Sequence, residues 1–448
     1  MPRSSSPSGS PAPSAVGMPL LSRRDMLKMV GVTAGAVTLP ELLAACGSKK
    51  SGGGGTASKT VTIGSNASDA APKAAYQQVF AKAKASTGLD LQVNTVDHNT
   101  FQQQINSYLQ GTPQDVFFWF AGYRMQFFAA KGLATSISDV WDKIGSSYTP
   151  ALKAASTGQD GKQYFVPFYY YPWAVFYRKS VFAKHGYQPA KTWDDYLALL
   201  KQQKKDGYVP LAMADDGGWP VQGTFDYLNM RINGYQFHVD LMAGKQAWTD
   251  PKVMDVFNHW AQILPYHDLQ GGLARKWEEA AITLKNKKTA MFLLGSFVAQ
   301  QFSGADLADL DFFAFPQINA QFAQDSVEAP IDGFMVSRKP KNLAGAKTLL
   351  EYMASPEAIA TYLKSDPTNI AANTQADTSN YNALQKKSLE LIGSAQHISQ
   401  FMDRDSRPDF VSTVMIPSLQ SFIKNPTPSA TSSLLSSIEK QKQAIFVG

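Results

Sequence analysis

Between residues 60 and 120 the sequence alternates strand patterns with helix patterns, and this alternation restricts the fold more than any other feature. Short β-branched or apolar runs predict three strands, at 60–64, 89–96 and 115–120. Two segments between them space their apolar residues as a helix does, at 72–87 and 101–109. A glycine ends each helix pattern, Gly88 after the first and Gly111 after the second. The β-α-β-α-β order predicts an α/β fold with a mainly parallel sheet.

The loops that follow parallel strands lie together at one edge of a sheet, and ligands bind beyond that edge. The predicted loops of this edge are 65–69, 97–99 and 119–123. The whole chain has 448 residues, of which 44% are hydrophobic, so it can form two cores rather than one.

The segment before Cys46 has the order of an export signal. The pair Arg23-Arg24 precedes an apolar, small-residue stretch from 29 to 45, which is too short and too rich in Gly, Ala and Thr to span a membrane well. The arginine pair resembles a twin-arginine (Tat) signal, with an ordinary Sec signal as the alternative. We expect residues 1–45 to be a signal peptide.

The single cysteine of the chain is Cys46, which ends a Leu-Ala-Ala-Cys sequence resembling a bacterial lipobox. A lone cysteine forms no internal disulfide, whereas a thiol at this position accepts a diacylglyceryl group. We expect Cys46 to be lipidated and residues 46–58, rich in Gly and Ser, to be a flexible tether. The predicted location is extracytoplasmic, with the chain anchored to the cell membrane by this lipid.

Composition and motifs argue against several function classes. The net charge is +6 and the basic residues are scattered, so we expect no nucleic-acid partner. The six histidines show no H-x-x-x-H or H-E-x-x-H spacing, which predicts no metal site. No G-x-S-x-G elbow or P-loop is present. We expect a monomer without enzymatic activity and without a cofactor.

Four segments, in order, resemble those of one protein family. They are 112–119 with 131–134 behind it, 163–167 with 175–179, 192–196, and 285–295. Over roughly residues 59–370 their order and spacing resemble the family 1 extracellular solute-binding proteins of carbohydrate ABC importers. The sequence departs from the family pattern at Arg178, at Lys287-Lys288 and at the final aromatic position, Phe297.

This resemblance implies a two-lobe, periplasmic-binding-protein-like fold with a hinge and a ligand cleft between the lobes. It assigns 59–166 plus 295–335 to lobe 1, and 167–294 plus 336–448 to lobe 2. It also implies an extracytoplasmic substrate-binding protein that captures a sugar, in particular an oligosaccharide, and delivers it to the permease subunits of an ABC transporter.

Aromatic residues at predicted rims are candidate ligand contacts, because a flat ring buries the C–H face of a sugar at little entropy cost. These candidates are Trp119, Tyr123, Tyr171, Trp173, Trp219 and Phe297. Helical or capping patterns instead predict core positions for Trp193, Trp248 and Trp260.

Polar residues in the same regions are candidates for hydrogen bonds to sugar hydroxyls. They are Asn66, Asp69, Asp97, His98, Asp215, Asp332, Asp403 and Arg404. Simpler roles are available for some of them, because Asp97 can cap the next helix and Asp403 can form a surface ion pair with Arg404.

Two other functions stay open on the sequence. A secreted glycoside hydrolase needs two carboxylates that flank the glycosidic bond, and Asp215-Asp216 and Glu278-Glu279 are adjacent acid pairs. Neighbouring acids, however, more often cap helices or face water. A lipoprotein that binds peptides or cell-wall fragments would share the signal and the tether. That function, however, does not explain why aromatic loops come from both lobes.

Overall fold

A computed structural model of the chain describes residues 58–446. The predicted signal peptide, Cys46 and all of the tether except Ser58 lie outside these residues. Within 58–446, no helix is both long enough and apolar enough to cross a membrane.

The strands are short and spread along the chain. They are β1 Thr60–Ser65, β2 Asp90–Thr95, β3 Val116–Phe120, β4 Ala134–Thr135, β5 Phe165–Tyr170, β6 Trp173–Arg178, β7 Val209–Leu211, β8 Thr289–Gly295, β9 Leu310–Phe313, β10 Ser326–Glu328, β11 Ile331–Ser337, β12 Ile370–Ala371 and β13 His397–Ser399.

Helices connect and cover these strands. They are α1 Ala70–Thr87, α2 His98–Gln110, α3 Tyr123–Ala130, α4 Ser138–Ile144, α5 Pro150–Ala155, α6 Lys179–His185, α7 Trp193–Lys205, α8 Gln222–Asn233, α9 Tyr235–Met242, α10 Pro251–Ile263, α11 Trp277–Lys285, α12 Gly304–Asp309, α13 Leu343–Met353, α14 Pro356–Ser365, α15 Ala383–Ser394, α16 Met402–Asp405, α17 Pro408–Phe410, α18 Ile416–Lys424 and α19 Pro428–Phe446. Short 3₁₀ turns lie at Gly145–Ser147, Leu264–Tyr266, Gly272–Ala274 and Ser296–Gln301, and a π turn lies at Val411–Met415.

The first sheet has seven strands in the order β12-β5-β11-β3-β1-β2, with β4 also paired to β11. Strand β1 is parallel to both β2 and β3, which confirms the predicted β-α-β-α-β unit. Strand β11 enters from far along the sequence and is antiparallel to both β3 and β5. The sheet is therefore mixed, and the predicted mainly parallel sheet is wrong, because β11 and β12 add antiparallel pairs to the parallel unit.

A second, four-stranded sheet has the order β7-β8-β6-β9. Strands β7 and β8 are parallel, while β6 is antiparallel to both β8 and β9. Each sheet lies in its own hydrophobic core, and we call the two units lobe 1 and lobe 2. The α/β, two-lobe prediction is confirmed.

The chain passes between the lobes at three places. It leaves lobe 1 between β5 and β6, at Tyr171-Pro172, and it returns just before β11. It leaves lobe 1 again after β12 and reaches the core of lobe 2 at Phe401. Strands β10 and β13 pair with each other beside the last two crossings. The first crossing lies close to the predicted lobe boundary at 166/167. The second and third crossings were predicted at 294/295 and 335/336, and both come later in the chain, because β9 still belongs to lobe 2 and β12 still belongs to lobe 1.

Two segments lie in a different lobe from the one the sequence assigned. Strand β9, predicted in lobe 1, pairs with β6 in the sheet of lobe 2. Helices α13 and α14, predicted in lobe 2, bury Leu349, Leu350 and Tyr362 in the core of lobe 1. The order of family segments does not say which open sheet edge a short apolar strand completes, and only the packing decides it.

Buried Asp115 joins three separate parts of lobe 1. Its carboxylate accepts hydrogen bonds from the backbone and hydroxyl of Thr62 on β1, at 2.9 and 2.7 Å, and from the backbone N–H groups of Lys341 and Asn342 before α13. Burial alone would raise the pKa of Asp115, but these hydrogen bonds hold it below its ordinary value.

We expect Asp115→Ala to lower the free energy of unfolding by about 3 kcal/mol, because it leaves the donors of Thr62, Lys341 and Asn342 without the acceptor that joins them. Since the folded-state pKa is lowered, the carboxylate stabilises the fold above its ordinary pKa and loses this effect as the pH falls through the folded-state value. The difference in the free energy of unfolding between wild type and Asp115→Ala should therefore become smaller in acid. Urea denaturation measures both effects.

The matched control is Asp90→Ala, because the half-exposed Asp90 side chain pairs with the exposed side chain of Lys84 at 3.3 Å. It should change the free energy of unfolding by less than about 0.5 kcal/mol. Equal effects of the two substitutions would contradict the role of Asp115.

Candidate functional site

A cavity of about 160 Å³ lies between the two lobes. Lobe 1 contributes the loops after β1 and β2, together with Tyr169 and Asp332 of its sheet. Lobe 2 contributes the start of β6, the loop before α8, the start of α11 and the segment that contains α16. The cavity is therefore at the predicted edge of the first sheet, and the second lobe covers it.

Most of the residues predicted from the sequence line this cavity. They are Asn66, Asp69, Asp97, His98, Tyr171, Trp173, Trp219, Phe297, Asp332, Asp403 and Arg404. The structure therefore brings together residues that are up to 338 positions apart, from Asn66 to Arg404.

Three predicted residues lie elsewhere. Trp119 is 1% exposed and packs against Phe120 and Phe128 in the core of lobe 1, because both faces of β3 are covered. Tyr123 begins α3 and does not line the cavity. Asp215 turns away from it and accepts hydrogen bonds from Gln420 Nε2 at 2.8 Å and the backbone N–H of Val221. Its role is to hold the loop that presents Trp219.

Five aromatic side chains of lobe 2 form one side of the cavity, and we call them the aromatic wall: Trp173, Trp219, Trp277, Phe297 and Phe401. The rings meet mostly edge to face. Phe297 lies in the middle, with ring centroids 6.0 Å from Trp219, 6.3 Å from Trp173 and 5.0 Å from Trp277. Edge-to-face contacts fix the ring planes, so the wall is a preformed apolar surface.

Opposite charges from the two lobes meet at Arg404. Its Nη2 donates to Tyr171 Oη at 3.2 Å and lies 3.5 Å from Asp332 Oδ1 of β11. The guanidinium also lies 3.9 Å from the ring centroid of Phe120. Burial raises the pKa of Asp332, and the Arg404 charge opposes that rise. Arg404 Nε also lies 4.0 Å from Asp403 Oδ1, and all three side chains are largely buried, so the surface ion pair of Asp403 and Arg404 considered from the sequence is wrong.

A second polar chain runs from Asp403 into lobe 1. Arg124 Nη1 donates to Asp403 Oδ2 at 3.1 Å and to Gln102 Oε1 at 2.7 Å. The amide Nε2 of Gln102 lies 2.7 Å from His98 Nε2. An amide nitrogen only donates, so this imidazole nitrogen accepts and His98 is neutral. Burial lowers the pKa of His98, which agrees with that state.

Two other predicted polar residues, Asp97 and Asp69, have local partners. Asp97 caps α2, as its carboxylate accepts from the backbone N–H and the hydroxyl of Thr100, both at 3.0 Å. These hydrogen bonds lower the pKa of Asp97. Asp69 precedes α1 and receives a long hydrogen bond of 3.4 Å from the hydroxyl of Ser68.

Sequence reasoning missed several lining residues. Trp277 and Glu278 begin α11, and the neighbouring Glu279 accepts the backbone N–H of Lys276 at 3.2 Å. The two acids therefore have different roles, since the carboxylate of Glu279 caps the helix and that of Glu278 lines the cavity. Burial raises the pKa of Glu278. The others missed include Asn99, Gln102, Asp216, Gln300 and Asn369.

Two buried donors at the cavity have no hydrogen-bond partner among the described residues. They are the indole N–H of Trp173 and Nη1 of Arg404. A buried donor without a partner costs free energy, and a ligand group that reached either atom would remove that cost. Among residues 58–446, no group of acidic, histidine or cysteine side chains could hold a metal ion.

Comparison with known proteins identifies the family. The profile of the bacterial extracellular solute-binding proteins matches residues 66–360. The solved structure of the bacterial solute receptor AcbH, reported to have an exclusive substrate preference for β-D-galactopyranose, is 48% identical. It covers 86% of this chain and 99% of that one with a TM-score of 0.84. A chitin oligosaccharide binding protein shares the fold at 19% identity, with a TM-score of 0.78 over 86% of this chain and 99% of that one.

Curated relatives are more distant. An uncharacterized ABC transporter extracellular-binding protein of Pyrococcus horikoshii is 24% identical over 294 residues, 64% of this chain and 65% of that protein. The diacetylchitobiose binding protein NgcE of Streptomyces coelicolor is 26% identical over 273 residues, 56% of each. This chain thus spans less than two thirds of the length of either relative. The matched family profile and the two-lobe fold agree, and the chain belongs to the bacterial extracellular solute-binding proteins.

Proposed function

We propose that the chain captures a sugar in the cavity between its lobes and delivers it to the permease subunits of an ABC transporter. The observation that carries this proposal is the pairing of the aromatic wall with buried, partly unpaired polar groups around Arg404. Such a cavity offers both of the surfaces that a sugar needs.

The chemistry of a sugar fits these two surfaces. A pyranose ring has apolar C–H faces, which can pack on the indole rings of Trp173 or Trp219. Its hydroxyl groups both donate and accept, so they can bond to Asp332 and to the unpaired Nη1 of Arg404. A ligand that contacts both lobes at once stabilises the closed arrangement, which is the basis of a hinge motion.

The first candidate ligand is D-galactopyranose, which is the preferred substrate reported for the 48% identical receptor AcbH. The cavity volume of about 160 Å³ is below the roughly 300–1,000 Å³ typical of drug-sized ligands, which favours a small sugar. The oligosaccharide expected from the aromatic loops is the second candidate, because diacetylchitobiose and chitin oligosaccharide binding proteins are among the relatives.

The proposed location is outside the cytoplasmic membrane, where the lipid on Cys46 would anchor the chain after removal of a Tat-like signal. A tether of about a dozen Gly- and Ser-rich residues has an r.m.s. reach of roughly 20 Å, which keeps the lobes near the bilayer while they turn. The chain would act there as a monomer, with no catalytic step.

The proposed function is tested by thermal unfolding of residues 58–448 with a panel of monosaccharides and oligosaccharides. A ligand that binds only the folded state raises the midpoint in a concentration-dependent way. Such a rise for one sugar class, with the sugar recovered intact, is the expected result. Cleavage of the sugar would identify a glycoside hydrolase, and no rise with any sugar would favour peptides or cell-wall fragments.

We expect Trp219→Ala to weaken binding of that sugar by at least about 1 kcal/mol, because it removes part of the aromatic wall. Trp219 is only partly buried, so the unfolding midpoint without sugar should change little. Calorimetric titration measures the first effect and thermal unfolding the second.

Trp248→Phe is the matched control, since Trp248 is fully buried in the core of lobe 2 and does not line the cavity. It should lower the midpoint and leave the sugar Kd unchanged. A Trp219→Ala variant that loses stability but keeps its sugar affinity would make Trp219 a core residue.

We expect Cys46→Ser to move the protein from the membrane fraction to the soluble fraction of a bacterial host, because serine lacks the thiol that takes the lipid. Mass spectrometry of the N-terminal peptide should show acyl chains in the wild type alone. Ser51→Ala, within the predicted tether, is the control and should stay with the membrane. A membrane-bound Cys46→Ser protein would argue against lipid anchoring.

A further inference from the structure

A direct hydrogen-bonded bridge crosses one end of the cavity. The indole N–H of Trp219 in lobe 2 donates to Asn99 Oδ1 in lobe 1 at 3.1 Å. The amide Nδ2 of Asn99 lies 3.5 Å from Asp216 Oδ2, also in lobe 2. The oxygen and the nitrogen of the Asn99 amide thus both contact residues of lobe 2.

The loop of lobe 2 is shaped to admit this amide. A Cβ atom on Gly217 would lie 2.6 Å from Asn99 Cγ and 2.7 Å from its Oδ1 and Nδ2. Gly217 also has a φ of +81°, which favours glycine. Only a residue without a side chain lets the backbone come so close to Asn99, so the amide is tightly enclosed.

A second, smaller cavity of about 50 Å³ lies on the other side of this bridge. Four residues line both cavities and therefore separate them: Asn99, Gln102, Trp219 and Asp403. The others around the smaller cavity combine polar and apolar surface, including Gln103, Arg124, Val411 and Ile416. Arg124 also has a buried Nε that finds no hydrogen-bond partner in the described part of the chain.

We propose that Asn99 closes the sugar site at this end and so limits the ligand to a single sugar ring. This inference rests on the proposed function and adds a limit on the size of the sugar that the site accepts. A ligand with a second ring must push the amide aside to enter the smaller cavity, which breaks the bond to Trp219 and leaves its indole N–H unpaired. If the Asn99 amide is removed by substitution, the two cavities are joined, and a second ring can enter without breaking a hydrogen bond to Trp219.

The other members of the boundary are less suited to this role. Gln102 is held by Arg124 and His98 within lobe 1, and Asp403 is held by Arg124. Trp219 belongs to the aromatic wall, so its loss would weaken every sugar. Of the four boundary residues, only Asn99 bonds across the cleft and belongs neither to the hydrogen bonds around Arg124 nor to the aromatic wall.

The test compares D-galactose with lactose and melibiose, two disaccharides that extend a galactose ring at its anomeric carbon. Calorimetric titration gives the Kd of each sugar for wild type and for Asn99→Ala. In the wild type we expect both disaccharides to bind at least 100-fold more weakly than galactose. In Asn99→Ala the ratio of disaccharide Kd to galactose Kd should fall at least tenfold for one of them.

Asn106→Ala is the matched control, as it removes the same side chain two turns further along α2 and outside both cavities. It should leave the ratio unchanged. Asn99→Ser gives a second, smaller side chain in case Asn99→Ala lowers the unfolding midpoint, and it should move the ratio in the same direction.

An unchanged ratio in both Asn99 variants would overturn the inference, because a residue that only stabilises the closed lobes weakens all ligands alike. A wild type that binds lactose or melibiose within tenfold of galactose would also overturn it. A wild type that binds no galactose would overturn the proposed galactose site together with this inference.

Discussion

The buried ion pair between Arg404 and Asp332 is the contact on which the cavity depends. Arg404 comes from lobe 2 and Asp332 from the sheet of lobe 1, and Tyr171 at the first crossing bonds to the same guanidinium. Removal of Arg404 would leave the largely buried Asp332 without its ion-pair partner, which is costly. The pair therefore fixes the distance between the lobes at the place where a ligand would lie, and Nη1 of Arg404 has no hydrogen-bond partner within residues 58–446.

The segment that carries Arg404 is itself held by two acids, Asp226 and Asp405. Asp226 accepts the backbone N–H of Met402 at 2.7 Å, and Asp405 accepts that of Gln400 at 2.8 Å. Burial raises the pKa of Asp226 and raises that of Asp405 to about 6. Between these anchors Phe401 has a φ of +115°, a strained value for a residue with a side chain. The strain places its ring 4.8 Å from that of Trp173, within the aromatic wall.

Local patterns predicted the parallel unit of the first sheet, but they did not predict how distant segments pair with it. The parallel unit from β1 to β3 follows from periodicity, and its loops supplied Asn66, Asp69, Asp97 and His98 to the cavity. No local pattern shows that β11 lies between β3 and β5, or that β9 completes the second sheet. Burial on both faces of β3 likewise decides that Trp119 is a core residue. Glu278 was missed since adjacent acids at a helix start have the same pattern whether they cap or face a cavity.

The most direct test of the site is a crystal structure of residues 58–448 with D-galactose. The expected result is one sugar ring between the lobes, with a C–H face on the aromatic wall and hydroxyl groups within hydrogen-bond distance of Asp332 and Arg404. A sugar bound outside this cavity, or one that contacts a single lobe, would contradict the proposed mode of capture.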